Sequence, residues 1–381
     1  MGNAGVSGEG SPIARLRARG QSVWLDYIQR NLILSGRLAQ MIGDGLISGV
    51  TSNPSIFRKA ISESDDYESD LVAMAKSGVT DPYIAFVSAG GEDIKLAAQV
   101  LNRVYEESSA LDGYVSLEVP PALADDYEGT VDEARRLFGL IGRPNVMIKV
   151  PGTDAGAKAL EDLIAEGVNV NQTLLFGVGH YERSAEAYLR GLERRLDAGE
   201  DLSRVASVAS FFVSRLDTAI DNLLPEGSAL RGKAAIANTC LAYRRFREIF
   251  AGARWERLVA AGARYQRPLW ASTSTKNPAY PDTLYVDALI APDTVNTLPE
   301  VTLNAFAEHG DSIGGIDDHL ASTDDVLKGL ADAGVDLNLV TERLLAEGLE
   351  AFAADFDTLL DRIGELLKVD LEGAPELGKG D

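Results

Sequence analysis

Short apolar segments alternate with amphipathic segments along most of the chain. Eight of the apolar segments have the length of β-strands and lie at 22–28, 48–53, 113–119, 145–151, 167–174, 205–212, 267–275 and 284–290. Between them, apolar residues recur with the spacing of helices, once every three to four residues. Eight strands that are each followed by a helix are typical of a parallel sheet closed into a barrel. The pattern therefore predicts an α/β protein with a (β/α)8 barrel (TIM barrel) and additional helices.

Several of the predicted helices have recognisable ends. Thr153 precedes one amphipathic stretch and Gly167 follows it, as expected of an N-cap threonine and of a left-handed glycine that ends a helix. Further helices are predicted at 54–105 (more than one), 178–198, 229–263 (two) and 337–368. An open doubly wound sheet is the alternative, but such sheets usually have fewer strands and a glycine-rich turn after the first. The sequence has no G-x-G-x-x-G motif, so the closed barrel is favoured.

The chain is predicted to form one domain over residues 1–381. No internal repeat, low-complexity tract or charge block marks a second domain, and barrels of this class often exceed the usual domain length. Residues 1–11 are predicted to be a disordered lead-in. Residues 337–381 are predicted to form a C-terminal helix followed by a frayed tail.

The charge balance and the rarity of certain residues exclude several classes of protein. The chain has 36 basic and 58 acidic residues, a formal charge of −22, which disfavours nucleic acids and anionic membranes as partners. Its single cysteine, Cys240, permits no internal disulfide, which suits a cytoplasmic protein. The three histidines are not at metal-ligand spacing, and no apolar run is long enough to span a membrane. We therefore expect a cytoplasmic protein without a metal site. No interface pattern distinguishes a monomer from a homodimer, so both states are expected equally.

Alternation along the predicted strands places several polar side chains inside the barrel. In the segment NVMIKVP, Val146, Ile148 and Val150 share one face, so Lys149 lies on the other. Branched aliphatic residues belong against the outer helices, which leaves Lys149 pointing into the barrel. The same reasoning turns other polar residues inward, mostly near the carboxyl ends of their strands, where barrel enzymes keep their active sites. These are Asp26, Asn53, Glu118, Asn171, Thr173, Ser210, Ser274 and Lys276.

Each of these residues also has a purely structural interpretation. Lys149 could be a solvated residue of an edge strand, or it could form a buried salt bridge with Asp26 and Glu118 that has only a structural role. Asn53 precedes a proline, where an Asx turn is common. Other candidates are compatible with hydrogen-bonded core residues or with surface charges: Asn171, Thr173, Arg215 and Lys276.

A lysine inside an apolar barrel is suited to act as a nucleophile. Burial disfavours the ammonium form and frees the lone pair of the amine. An amine attacks a carbonyl to form a Schiff base, which accepts electrons when a carbon–carbon bond breaks. Glu118 and Asp26 are the carboxylates available to move protons, and the amides and hydroxyls suit a polyhydroxylated substrate. The residues alone therefore indicate a lysine-dependent lyase or transferase that acts on a sugar, with no metal or organic cofactor.

Five motifs, in order along the chain, closely resemble those of transaldolases. They are GVTSNPSIF (49–57), VSLEVPP (115–121), MIKVPGT (147–153), GVNVNQTLLF (167–176) and SFFVSRLD (210–217). The length of the chain and its C-terminal helices are similar to the bacterial branch that includes actinobacterial enzymes. The resemblance implies a class I aldolase-type barrel of the pentose phosphate pathway. Such enzymes transfer dihydroxyacetone from sedoheptulose 7-phosphate or fructose 6-phosphate to glyceraldehyde 3-phosphate or erythrose 4-phosphate.

The resemblance also implies a role for each matching residue. Lys149 would form the Schiff base, Asp26 would take the hydroxyl proton as the carbon–carbon bond breaks, and Glu118 would move protons through a water held with Thr173. The residues implied to bind substrate are Asn53, Asn171, Ser210 and Phe212 around the dihydroxyacetone unit, and Arg215, Ser274 and Lys276 around the phosphate. Lys276 is a departure, because many transaldolases have a second arginine at this position. A lysine still binds phosphate, but as a point charge.

The sequence is also compatible with other functions. Fructose 6-phosphate aldolases share the fold and the lysine but release free dihydroxyacetone, and they are shorter chains with a tyrosine at the position of Phe212. A phenol can position a hydrolytic water and a phenyl ring cannot, which favours transfer over release. A non-catalytic phosphosugar-binding barrel is a second alternative, although neither the lysine nor a carboxylate is missing. A phosphosugar isomerase is disfavoured, because simple enolisation has no use for an inward lysine.

Overall fold

The computed structural model describes residues 10–369 and contains a closed barrel of eight parallel strands. Each strand pairs with the next one along the chain, and the eighth pairs with the first. The strands are β1 (Gln21–Asp26), β2 (Gly49–Thr51), β3 (Val115–Glu118), β4 (Val146–Pro151), β5 (Val170–Leu175), β6 (Ser207–Phe212), β7 (Gln266–Ala271) and β8 (Thr294–Leu298). This architecture confirms the predicted (β/α)8 barrel.

Helices surround the barrel, and several are additional to the strand–helix repeat. They are α1 (Pro12–Ala18), α2 (Arg30–Leu34), α3 (Arg37–Gly43), α4 (Pro54–Ser62), α5 (Glu68–Lys76), α6 (Pro82–Glu107), α7 (Tyr127–Ile141), α8 (Asp154–Glu166), α9 (Val178–Asp197), α10 (Ser214–Asp221), α11 (Ala234–Ile249), α12 (Gly252–Ala260), α13 (Leu284–Ala288), α14 (Glu300–His309), α15 (Asp317–Asp332) and α16 (Leu337–Val369). The long C-terminal helix and the two helices within 229–263 are confirmed, as are the several helices within 54–105.

Local signals in the sequence explain where α8 begins and ends. The Thr153 hydroxyl accepts a hydrogen bond from the Gly156 N–H at 3.0 Å, which caps the start of the helix. At the other end Gly167 has a φ of 89°, a left-handed conformation that costs glycine little. A Cβ at Gly156 would lie 1.9 Å from the carbonyl oxygen of Pro151. Glycine at this position therefore lets α8 start directly against the end of β4, the strand that carries Lys149.

The eighth strand lies further along the chain than the sequence predicts. The apolar segment 284–290 is predicted to be a strand, but most of it forms the short helix α13, and the strand begins at Thr294. That prediction is wrong because a short apolar run is compatible with a buried helix as well as with a strand. The true strand is buried but partly polar, and Asn296 accepts a hydrogen bond there from the Thr273 hydroxyl at 2.8 Å. A strand whose buried residues include paired polar side chains does not have the hydrophobic pattern from which strands are predicted.

The seventh strand is shorter than predicted. β7 ends at Ala271, and Ser272 has a φ of 55°, which turns the chain out of the extended conformation. Ser274 and Lys276 are predicted to lie on the inward face of this strand, and that prediction is wrong. They lie in the loop 272–283 that joins β7 to α13.

The two ends of the chain bear on the remaining predictions. Ser11, predicted to belong to a disordered lead-in, instead caps α1 by accepting a hydrogen bond from the Ala14 N–H at 3.2 Å. The part of that prediction for residues 1–9 and the predicted frayed tail (372–381) lie outside the described residues. Between residues 10 and 369, no helix is long and apolar enough to cross a membrane.

Hydrogen-bonded polar side chains fill the amino-terminal end of the barrel. The buried guanidinium of Arg267 donates to the Ser22 hydroxyl and to the Thr294 carbonyl oxygen, each at 2.6 Å. The Asp112 carboxylate beside them accepts a hydrogen bond from the Trp24 indole N–H at 2.5 Å. These contacts close one end of the barrel and leave the carboxyl ends of the strands as the place for a ligand.

The C-terminal helix reaches that open end of the barrel. α16 has 33 residues and a length of about 50 Å, and it contacts α4, α10 and β5. Asp355 on α16 accepts hydrogen bonds from the Ser55 hydroxyl and, at 2.8 Å, from the Arg58 guanidinium, both on α4. Phe352, on the same helix, is part of the wall of the central cavity.

Candidate active site

A cavity of about 340 Å³ lies at the carboxyl ends of the barrel strands. Its wall includes most of the residues predicted from the sequence: Asp26, Asn53, Lys149, Thr173, Ser210, Phe212, Arg215, Ser274 and Lys276. Glu118 and Asn171 lie just behind the wall, each buried beside a lining residue. The fold thus gathers residues that are far apart in the sequence around one cavity.

Lys149 points into the barrel, as alternation along β4 predicts. Its side chain is 6% exposed, and its ammonium donates a hydrogen bond to the Ser52 carbonyl oxygen at 3.0 Å. Its Nζ lies 3.6 Å from Oε2 of Glu118 on the neighbouring strand. Strand register places Glu118, Lys149 and Asn171 side by side on β3, β4 and β5. The amine is therefore nearly buried, with a carboxyl group next to it.

Glu118 is poised to exchange a proton near neutral pH. Burial raises the pKa of this carboxyl to about 7, although the Lys149 ammonium opposes the shift. Its Oε2 atom has no hydrogen-bond partner among the described residues, and neither does the buried hydroxyl of Thr173. A carboxyl that titrates near pH 7 beside a lysine amine has the properties of a general acid and base.

Asp26 supplies a second carboxyl group to the cavity, from the end of β1. Its Oδ1 accepts a hydrogen bond from the Thr51 hydroxyl at 2.7 Å. The same Thr51 hydroxyl lies 2.7 Å from the Thr297 hydroxyl on β8. Burial raises the pKa of Asp26, and the positive charges of Lys149 and Lys276 oppose this shift. The two carboxyl groups thus lie in different settings, one beside hydroxyls and one beside the amine.

Asn53 has both of the roles that the sequence left open. Its Oδ1 accepts a hydrogen bond from the Ile56 N–H at 2.9 Å, which caps α4. The same side chain lines the cavity, and the capping hydrogen bond uses Oδ1 and not the amide nitrogen. Capping therefore orients the amide so that its N–H groups remain available to a ligand.

Asn171 and Ser210 form a short hydrogen-bonded chain behind the cavity wall. The Ser210 hydroxyl donates to Oδ1 of Asn171 at 2.7 Å, and the Asn171 amide donates to the Ser116 hydroxyl at 3.2 Å. Asn171 is completely buried, so Ser210 presents this chain to the cavity. Asn171 therefore contacts the lining residue Ser210 and does not itself line the cavity.

Two cationic side chains occupy another part of the wall. Arg215 lies in the first turn of α10, with its guanidinium 5.7 Å from the centre of the Phe212 ring. Lys276 in the loop 272–283 donates a hydrogen bond to the Ser274 hydroxyl at 3.1 Å. Burial lowers the pKa of Lys276, and the nearby positive charge of Arg215 lowers it further. Neither cation has a carboxylate partner within 4.0 Å among the described residues, so both are available to an anionic ligand.

The cavity wall also contains residues that sequence reasoning did not select. Phe352 reaches it from α16, and Lys59 reaches it from α4. No local signal identifies Phe352, because an apolar residue on an amphipathic helix looks like any other core residue. Lys59 similarly resembles an ordinary exposed lysine. Within residues 10–369, no group of three or more histidine, cysteine, aspartate or glutamate side chains is arranged to hold a metal ion.

The chain is similar to known proteins over nearly its whole length. The family model described as transaldolase/fructose-6-phosphate aldolase matches residues 23–363. "Transaldolase 2" of Nostoc punctiforme is 45% identical over 373 residues, covering 94% of this chain and 98% of that protein. "Transaldolase" of Thermobifida fusca is 47% identical over 365 residues (94% and 99%), and that of Acidothermus cellulolyticus is 48% identical over 356 residues (91% and 95%). Since both the family model and these relatives span nearly the whole chain, the chain belongs to the transaldolase/fructose-6-phosphate aldolase family.

Proposed function

We propose that this protein is a transaldolase that transfers a dihydroxyacetone unit through a Schiff base on Lys149. The donor is sedoheptulose 7-phosphate or fructose 6-phosphate, and the acceptor is glyceraldehyde 3-phosphate or erythrose 4-phosphate. The observation that carries the proposal is the Lys149 amine, nearly buried in a cavity and 3.6 Å from a carboxyl group. The names and high identities of the relatives support the same activity, which belongs to the pentose phosphate pathway.

The first step is attack of the Lys149 amine on the ketone carbon of the donor. The carbonyl oxygen takes up a proton, and loss of water from the carbinolamine leaves the Schiff base. Glu118 supplies and recovers these protons, by way of a water held with Thr173. Its pKa of about 7 suits both directions of transfer at neutral pH.

Asp26 acts in the second step, when the carbon–carbon bond breaks. It removes the proton from the donor hydroxyl next to that bond, and the aldehyde half of the sugar leaves. The bonding electrons move into the Schiff base, which becomes an enamine attached to Lys149. The enamine then attacks the acceptor aldehyde, and Asp26 returns its proton to the new hydroxyl. Hydrolysis of the Schiff base completes the transfer without a metal or an organic cofactor.

The remaining lining residues bind the ends of the substrate. The amide of Asn53 and the Ser210–Asn171 chain suit the hydroxyls of the dihydroxyacetone unit. Arg215, Ser274 and Lys276 suit the phosphate at the other end, with the guanidinium as a planar donor and the ammonium as a point charge.

Phe212 favours transfer over release of free dihydroxyacetone. Its ring packs on Phe176 with 5.1 Å between ring centres and has no polar atom to orient water toward the Schiff base. A fructose 6-phosphate aldolase activity is the second candidate, and turnover of fructose 6-phosphate without an acceptor would support it.

The experiment that tests the proposal is borohydride trapping with fructose 6-phosphate, followed by intact mass measurement and peptide mapping. A reduced dihydroxyacetone adduct on Lys149 supports the proposal. An adduct on another lysine would contradict the assigned nucleophile. Binding of the sugar phosphate with no adduct would instead favour a non-catalytic barrel. Lys59→Ala is the matched control, since it removes another lysine of the same cavity and should leave the adduct intact.

We also propose that the protein works in the cytoplasm on small sugar phosphates, with no nucleic acid or membrane partner. The high net negative charge and the single buried cysteine support this location. A monomer or a homodimer is expected, and light scattering of the purified protein distinguishes these two states.

A further inference from the structure

The loop 272–283 and helix α10 each carry one cation of the cavity. Arg215 lies on α10, and Lys276 lies in the loop. We propose that Tyr280 and Asp221 are positioning residues, whose hydrogen bond holds this loop against α10 and so places Lys276 beside Arg215 for the substrate phosphate. The inference rests on the proposed assignment of Lys276 and Arg215 to the phosphate.

Two buried aspartates on α10 accept hydrogen bonds from the segments that pack against this helix. Asp217 and Asp221 are one helical turn apart and are 1% and 5% exposed. Oδ1 of Asp217 accepts a hydrogen bond from the Ala235 N–H at 2.8 Å, and Oδ1 of Asp221 accepts one from the Gly232 N–H at 3.0 Å. One oxygen of each carboxylate therefore ties α10 to the chain that enters α11, and the other oxygen remains for a second partner.

Both second partners are tyrosine hydroxyls from the segment that follows β7. Tyr280 in the loop donates to Oδ2 of Asp221 at 2.6 Å, and Tyr285 on α13 donates to Oδ2 of Asp217 at 2.8 Å. The Tyr280 ring lies directly against Gly232, where a Cβ would be 2.8 Å from the ring carbon Cζ. Gly232 also has a φ of 72°, so glycine both permits this backbone and leaves room for the ring.

The other end of the loop is tied to the start of the same helix. The Ser214 N–H donates to the Ser272 carbonyl oxygen at 3.0 Å, and the two serine hydroxyls are 3.2 Å apart. Lys276 lies midway between Ser272 and Tyr280, four residues from each. The loop is thus fastened to α10 on both sides of the lysine, which restricts the lysine backbone to one place.

Such fastening is useful because the two cations repel each other. With no anion between them, repulsion favours conformations in which the loop moves Lys276 away from Arg215. A loop held in place has less freedom to lose when the phosphate binds, so the hydrogen bond of Tyr280 raises affinity without touching the ligand. The carbon atoms that react are bound at Lys149 and not at the phosphate. The Tyr280–Asp221 hydrogen bond should therefore affect binding of the phosphate and not the chemical step.

The test compares Tyr280→Phe with the wild-type protein, using glyceraldehyde 3-phosphate and unphosphorylated glyceraldehyde as acceptors and saturating sedoheptulose 7-phosphate as the donor. The KM for the phosphorylated acceptor is expected to rise about five- to tenfold, as for loss of one net hydrogen bond. The kcat and the KM for glyceraldehyde should stay within about twofold of the wild-type values. Asp221→Asn is a second variant that weakens the same contact from the other side and should shift the same KM.

Tyr127→Phe is the matched control. Its hydroxyl also donates to an aspartate of a neighbouring helix, Asp162, but it does not line the cavity, so both KM values should be unchanged. Equal changes in KM for the two aldehydes, or a lower kcat, would mean that Tyr280 merely supports the fold, and would overturn the inference. A wild-type KM in Tyr280→Phe would overturn it as well.

Lys276→Ala separates this inference from the function on which it rests. If Lys276→Ala leaves the KM for glyceraldehyde 3-phosphate unchanged, the assignment of Lys276 to the phosphate is wrong, and the inference fails with it. If Lys276→Ala raises this KM and Tyr280→Phe does not, only the inference about positioning is wrong. If both raise it, adding Tyr280→Phe to Lys276→Ala should cause no further increase, because the loop then has no cation to place.

Discussion

Replacing Glu118 with glutamine removes a buried titratable group and preserves the size of the side chain. Burial raises the pKa of Glu118 from 4.5 to about 7. The folded protein therefore holds this proton more tightly than the unfolded chain does. As the pH rises from 4.5 to 7, the unfolded chain releases the proton first, and the wild-type protein loses free energy of unfolding. The loss is about 1.4 kcal/mol for each pH unit of this interval.

The glutamine variant has no such titration, so its stability relative to wild type should improve with pH. Between pH 5.5 and pH 8 the expected gain is about 2 kcal/mol, because only the interval up to the folded-state pKa contributes. The attraction between the Glu118 carboxylate and the Lys149 ammonium exists only where Glu118 is ionised, and it is already included in the pKa of about 7. Urea denaturation of both proteins at both pH values measures the difference.

A stability difference that stays the same at pH 5.5 and pH 8 would refute the environment assigned to Glu118. The same variant should also lose about 10²- to 10⁴-fold in kcat, the usual contribution of a positioned acid or base. Glu107→Gln is the control, since Glu107 is exposed and paired with Arg103 on the outer surface of α6. It should leave both the pH dependence of stability and the kcat unchanged.

Three further variants test the proposed roles. Lys149→Ala should abolish transfer while circular dichroism stays native, because only the nucleophile is lost; more than a trace of activity would contradict the Schiff base. Arg215→Ala should raise the KM for phosphorylated substrates by about 10- to 150-fold, as for a lost charge-assisted hydrogen bond. An equal effect on unphosphorylated substrates would show that Arg215 does not bind phosphate. Phe212→Tyr should increase the release of dihydroxyacetone relative to its transfer, measured with and without an acceptor; an unchanged ratio would exclude Phe212 as the determinant.

The sequence alone was sufficient to predict the barrel and the direction of Lys149. Side chains alternate along a strand, so the aliphatic face of β4 left the lysine only the inward face, and the structure confirms that orientation. The same rule placed Asp26, Thr173 and Ser210 correctly, because each lies within a strand. Caps such as Thr153 were also predictable, since they depend on residues only a few positions apart.

Tertiary structure decided what depends on contacts between distant segments. The eighth strand could not be found from hydrophobicity, because its buried Asn296 is paired with Thr273 of another segment. Ser272 turns the chain at the end of β7, so Lys276 reaches the cavity from a loop and not from a strand. Phe352 lines the cavity because α16 packs against α4, α10 and β5, elements that are far from it in the sequence. Local periodicity is a property of neighbouring residues, whereas these placements depend on hydrogen bonds and packing between elements that meet only in the folded chain.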